Sequence, residues 1–138
     1  MSLDDNKAVV RRSIEAFNAR SVIGVDVFSE DVGRETQRYL DTMPWGEHQV
    51  DITELIAEGD RVVALIATQG VQTGEFHGMP PTGKSFTNRG VAVFRIEGGR
   101  VTAMDTYIDS LTVVKQLGGT VLAPPQTGPS EFSGAEVA

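Results

Sequence analysis

Apolar residues near the start of the chain fall at Val9, Val10, Ile14 and Phe17, which lie on one side of a helix with 3.6 residues per turn. Asp4 and Asp5 precede this stripe, where a carboxylate caps free N–H groups or meets the positive end of the helix dipole. The spacing predicts a helix over residues 3–20 that buries its stripe against a sheet. Residues 22–28 read as the start of a second short helix and residues 35–43 as a third, with Asp31, Val32 and Gly33 between them. Pro44, Trp45 and Gly46 then stop the helix. From Gln49 the period changes to two, with Val50, Ile52 and Glu54 on one side of the alternation and Asp51, Thr53 and Leu55 on the other. Strands are predicted over residues 49–56, 61–72, 84–97 and 100–109, joined by a turn at Glu58-Gly59-Asp60 and a hairpin at Gly98-Gly99. Residues 111–117 read as a short helical turn closed by Gly118 and Gly119.

Between the second and third strand-like runs stands a long loop, residues 74–84, in which Gly78, Pro80, Pro81 and Gly83 bar any regular element. A plain hairpin needs only two residues, so a loop of this length and composition is expected to lie over the mouth of a pocket. Helices first and strands afterwards make the class α+β. The economical assembly is a strongly bent antiparallel sheet wrapped by the N-terminal helices.

Composition narrows the functional classes. A chain of 138 residues, 40% hydrophobic and 22% charged, fits a single domain, here residues 1–120. Residues 121–138 are expected to form a flexible tail, since positions 123–138 hold three prolines and two glycines and little apolar surface. The net charge of -7 and the pI near 4.7 exclude a nucleic-acid surface, and the 12 basic residues are dispersed. No apolar run approaches the roughly 20 residues of a membrane helix, and the first residues lack a signal-peptide pattern, so a cytoplasmic protein is expected. Without cysteine there is no disulfide, thiolate metal site or cysteine nucleophile. No His, Asp or Glu spacing suggests a metal, and no glycine motif sits in a dinucleotide or phosphate-binding context, so neither metal nor cofactor is expected.

Three blocks in order carry a family resemblance. They are residues 9–18, residues 55–63 running on through Gly78-Met79-Pro80-Pro81-Thr82-Gly83 to Phe94-Arg95-Ile96, and residues 98–101 through Tyr107-Ile108-Asp109 to Lys115-Gln116-Leu117-Gly118. Together they cover residues 7–32 and 49–118, and the Met-Pro-Pro-Thr loop in its strand context is the specific part. The chain thereby resembles the SnoaL-like polyketide cyclases. These are small proteins with the cone-shaped α+β roll of nuclear transport factor 2, ketosteroid isomerase and limonene epoxide hydrolase. The resemblance implies a small, hydrophobic, polyketide-like substrate in antibiotic or other secondary metabolism, aldol-type ring closure, and a homodimer formed by the open sheet face. A typical member has a longer stretch between the positions of Val32 and Gly33 that forms a first strand; this chain lacks it.

In that family a base removes an acidic proton beside carbonyls while a donor stabilises the enolate. An ungapped match sets the usual aspartate at Thr106 and the histidine of some members at Ala92, and neither residue exchanges a proton near neutral pH. The Asp-Arg-Asp arrangement of the related epoxide hydrolases is disfavoured, because residues 64–68 carry no charge. Strand alternation groups Asp105, Tyr107 and Asp109 on one face and Met104, Thr106 and Ile108 on the other. In the ungapped register the second set faces the pocket with Ala92 and Phe94, and Asp105 is a surface or interface charge; a one-residue bulge would turn Asp105 inward. The candidate catalytic residues are therefore Asp105, Asp109 and His77, the last at the loop tip and equally suited to face solvent. Candidate binding residues are Phe17, Trp45, Arg89, Ala92, Phe94, Met104, Thr106 and Ile108. His48 reads as part of an exposed helix-strand connection. Two other functions stay open beside the cyclase: a hydroxylase component working with a reductase, and a non-catalytic small-molecule binder.

Overall fold

The computed structural model describes residues 1–122, so the predicted tail from residue 123 onward lies outside the described residues. Helix α1, Leu3–Asn18, opens on a capping box in which the Ser2 hydroxyl accepts from the Asp5 N–H and the Asp5 carboxylate accepts from the Ser2 N–H, both at 3.0 Å. Its buried residues include Val9, Val10 and Ile14, the predicted stripe.

The second predicted helix does not form. Gly24 takes a positive φ of 80° inside residues 22–28, and Val22, Val27 and Phe28 serve instead as buried anchors of a turn. The backbone there pairs with the last strand, where Val101 donates to the Val27 carbonyl at 2.8 Å and Ser29 donates to the Val101 carbonyl at 3.0 Å. Helix α2 is Glu30–Thr42, so Asp31, Val32 and Gly33 belong to it rather than preceding it. Ser29 caps it through the Val32 N–H, and Glu30 and Asp31 favour its positive end, an N-terminal signature that the Gly33 punctuation obscures.

Four strands follow: β1 Trp45–Glu58, β2 Arg61–Gln72, β3 Ser85–Glu97 and β4 Arg100–Ile108, with α3 Ser110–Gln116 last. They form one antiparallel sheet in the order β1-β2-β3-β4, curled under the helices. Two-residue turns join β1 to β2 and β3 to β4, the latter with Gly98 and Gly99 at φ 58° and 76°, a geometry that favours glycine. The main core sets Val62, Ala64, Ile66, Ala92, Phe94 and Ile96 against Val10, Ile14, Phe28 and Leu40. A second cluster joins Trp45, Phe86, Val113 and Leu117. No described helix is long and apolar enough to cross a membrane.

The sheet departs from strict alternation at bulges, and two of them decide which side chains face the helices. In β1, Gly46 pairs with Val71 and Gln49 with Gln69, leaving Glu47 and His48 opposite Gly70 alone; Glu47 takes a positive φ of 51°. In β4, Val101 pairs with Ile96 and Ala103 with Arg95, so Thr102 has no partner. Helix-borne amides cover two exposed backbone stretches. The Asn18 side chain exchanges two hydrogen bonds of 2.9 Å with the Val50 backbone, and Gln116 does the same with Thr87 at 2.8 and 2.7 Å.

Candidate functional site

The loop expected to cover a mouth is pinned down from beneath. Gln72, 1% exposed, donates to the carbonyls of Gly74, Met79 and Pro80 and accepts from the Thr82 N–H and hydroxyl. Phe76 and Met79 pack on the second cluster, so the loop closes that end of the molecule. His77 is exposed at φ 49° with its ring edge-on to Phe76, centroids 4.4 Å apart.

Asp105 pairs with Val93 on the face turned away from the helices and is exposed. Strict alternation from the buried Val101 would have put Asp105 inside. The unpaired Thr102 reverses the parity, and Met104, Thr106 and Ile108 face the helices instead, paired with Phe94, Ala92 and Gly90. Ala92 and Phe94 lie in the main core with Met104 packed against them, whereas Thr106 and Ile108 are exposed although they face inward. Asp109 is the N-cap of α3 and accepts from the Thr112 N–H and hydroxyl; those hydrogen bonds, the hydroxyl's first, hold its carboxyl below the usual range. A carboxylate so engaged is a weak base. Arg89 lies opposite Ala67 on the outer face. It shares with Asp109, Asp51, Asn88 and Gln116 an open groove of about 500 Å³. The structure thus joins Arg89 to Asp109 and keeps both apart from the inward-facing set.

Phe17 and Trp45 belong to an aromatic run whose middle member is His48. Phe17 stacks on Tyr39 at 6.2 Å between centroids and meets His48 edge-on at 5.8 Å; His48 lies 6.4 Å from Phe86, which packs at 4.5 Å on Trp45. Gly70 makes this possible. A Cβ there would stand 2.9 Å from the Phe86 ring, so only glycine lets that ring lie across β2 and reach β1. The bulge at Glu47 is the second condition, because it brings Trp45 to the side that His48 and Val50 already share.

His48 was expected in an exposed connection and is instead a half-buried residue of β1. Its Nδ1 is sealed from solvent and has no hydrogen-bond partner, unlike any other side-chain nitrogen or oxygen of the partly or fully buried described residues. Nε2 makes no hydrogen bond with the described residues. Burial, reinforced by the positive charge of Arg20, pulls the imidazole below its ordinary pKa of 6.5, so the ring is neutral at pH 7. The sequence signal was present in the alternation of His48, Val50 and Ile52, which the preceding Pro-Trp-Gly masked. Among the described residues no group of three or more His, Cys, Asp or Glu could hold a metal ion.

The profile of the SnoaL-like polyketide cyclases matches residues 7–117. Among solved structures, TsrD from Streptomyces laurentii superposes with a TM-score of 0.71 at 21% identity, covering 87% of this chain and 99% of its own. AclR from Streptomyces galilaeus, described as a candidate hydroxylase, gives 0.71 at 23% identity over 85% and 98%. IdmH from Streptomyces antibioticus, described as a candidate polyketide cyclase, gives 0.69 at 20% over 82% and 98%. At these identities the likeness establishes the fold. No curated protein matches the chain.

Proposed function

The chain belongs to the SnoaL-like polyketide cyclase family, and from that premise we propose that it binds a hydrophobic, oxygenated polyketide intermediate on the helix-facing side of the sheet and promotes aldol-type ring closure. One carbon beside a carbonyl loses a proton, the enolate carbon bonds to a second carbonyl carbon, and the alkoxide formed takes a proton, so the step is a net isomerisation. The observation that carries this reading is the aromatic run from Tyr39 through Phe17, His48 and Phe86 to Trp45, with a neutral imidazole at its centre. Tyr39 and Phe17 are the accessible rings of the run while Phe86 and Trp45 are buried, and a desolvated polar group beside them acts more strongly than in water. The protein then works in the cytoplasm, in secondary metabolism of the antibiotic type.

The test is incubation with a linear polyketide thioester, following ring closure by mass-resolved chromatography. Closure faster than in buffer, with a single regioisomer, is expected. No acceleration with any such ester, while the ester still binds, would transfer support to the second reading, a binding protein or hydroxylase component. That reading is favoured by Ala92 and Thr106 standing where the family carries its histidine and aspartate.

The homodimer belongs to the same proposal. The outer face presents Ile56, Val63, Leu65, Val91, Val93 and Tyr107, of which Ile56 and Tyr107 are 51% and 64% exposed. A second copy on this face would bury them. Light scattering is expected to give twice the 14.8 kDa chain mass, and Val93→Glu is expected to give the monomer.

A further inference from the structure

We infer that His48 serves the site as a neutral hydrogen-bond donor, presenting Nε2–H to a carbonyl or enolate oxygen of the bound polyketide, and is not the proton-abstracting base. The inference rests on the functional proposal above for its substrate class and on local geometry for the role. A neutral imidazole carries one N–H and one lone pair. Here the two nitrogens differ, since among the described residues Nδ1 alone is a sealed side-chain atom without a partner.

An N–H sealed without an acceptor loses its whole hydration, whereas an idle lone pair on nitrogen sacrifices a weaker interaction. The proton therefore sits on Nε2, and the lone pair a base would need is shut inside the protein. Phe17 and Phe86 grip the ring at 5.8 and 6.4 Å between centroids and oppose the flip that would exchange the nitrogens. Nε2–H is then the group left to donate to a ligand. Such a donor binds more strongly to an oxygen that gains negative charge, as a carbonyl does on enolisation. The proton itself passes to a different acceptor, supplied by solvent or by the substrate.

Two measurements test this on the full chain. A long-range ¹H–¹⁵N spectrum of the free protein at pH 7 is expected to show the Nε2–H tautomer at His48; the Nδ1–H tautomer or an imidazolium would overturn the inference. Binding of 1,8-dihydroxyanthraquinone, followed by emission of the single tryptophan, Trp45, supplies the second. His48→Phe keeps a ring but no donor and is expected to weaken binding about fivefold, the size of one neutral hydrogen bond. His48→Gln, whose amide nitrogen reaches the place of Nε2, is expected to restore most of it, with melting curves showing that both variants fold. Equal binding by wild type and His48→Phe would overturn the donor role and leave the functional proposal standing. No binding of the quinone or a linear polyketide ester by the wild type would overturn both.

Discussion

A bulge near the start of β1 and one near the start of β4 act on the two strands in different ways. At Glu47 the extra residue brings Trp45 to the side that His48 and Val50 share by alternation. At Thr102 it sends Asp105 out and brings Met104, Thr106 and Ile108 in. A strand has period two, so one inserted residue exchanges the faces of everything beyond it. The same device thus sets Trp45 beside the imidazole in one strand and turns a carboxylate away from the helices in the other. Facing is decided by where the parity changes as well as by which residues the strands contain.

Exchanging the two side chains, Met104→Asp with Asp105→Met, should break the comparison most severely. A carboxylate would then face the core without a partner, at a cost of about 5 kcal/mol. Urea denaturation measures this, and a loss below about 1 kcal/mol would mean that position 104 does not face the core. Phe86→Ala should come next. It removes the ring that bridges His48 and Trp45 across Gly70, costs about 3–5 kcal/mol, and should shift Trp45 emission to the red.

The pH dependence sharpens the β1 side. Because the folded His48 has a pKa below its unfolded value of 6.5, the unfolded chain binds the proton more readily. Its contribution is complete above pH 6.5 and is lost as pH falls through 6.5 toward the folded value, with a slope of at most about 1.4 kcal/mol per unit. The charged or titratable neighbours are Arg20 and, through Phe17, Tyr39. His48→Phe should flatten the melting temperature between pH 7 and 5.5; an unchanged slope would place the imidazole in solvent. Asp109 loses its contribution at more acid pH, below its ordinary 3.8, and leaves that window alone.

Glu47→Gly should stabilise the protein by about 0.5–1 kcal/mol, since a non-glycine residue at positive φ carries strain that glycine does not. Destabilisation on thermal melting would show that the Glu47 side chain matters more than its backbone. The smallest effect is expected from Asp105→Asn, which should leave turnover of a polyketide ester within about twofold if closure depends on the inner face. A tenfold drop would put Asp105 back into the mechanism.

Most of the scaffold was legible along the chain. The stripe of Val9, Val10 and Ile14, the glycine pair at the last hairpin and the turn at Gly59 each specify their element through interactions a few residues long. The start of α2 was obscured because Gly33 reads as a break, although it lies within the helix, where a Cβ would meet Phe28 only at ordinary contact distance. The short run around Val27 looked helical by its apolar content and became a turn because its backbone finds partners on the distant Val101.

The site was less legible for the same physical reason. His77, Asp105 and Asp109 drew notice as proton-exchanging residues beside a marked loop or on the last strand. Their exposure, outward facing and capping duty depend on neighbours far away in sequence. Gln72 shows the limit well: a polar residue at a strand end gave no sign that it would be buried and hold five groups of the loop.

By itself the sequence determined the class of the fold, the order of its strands and the family. Those follow from residue identity and short-range periodicity. Only the tertiary structure decided that Trp45 joins His48 inside and that Asp105 lies outside, because a bulge is set by pairing with another strand. At Trp45 that goes with Gly70, more than twenty residues along the chain, leaving room for Phe86.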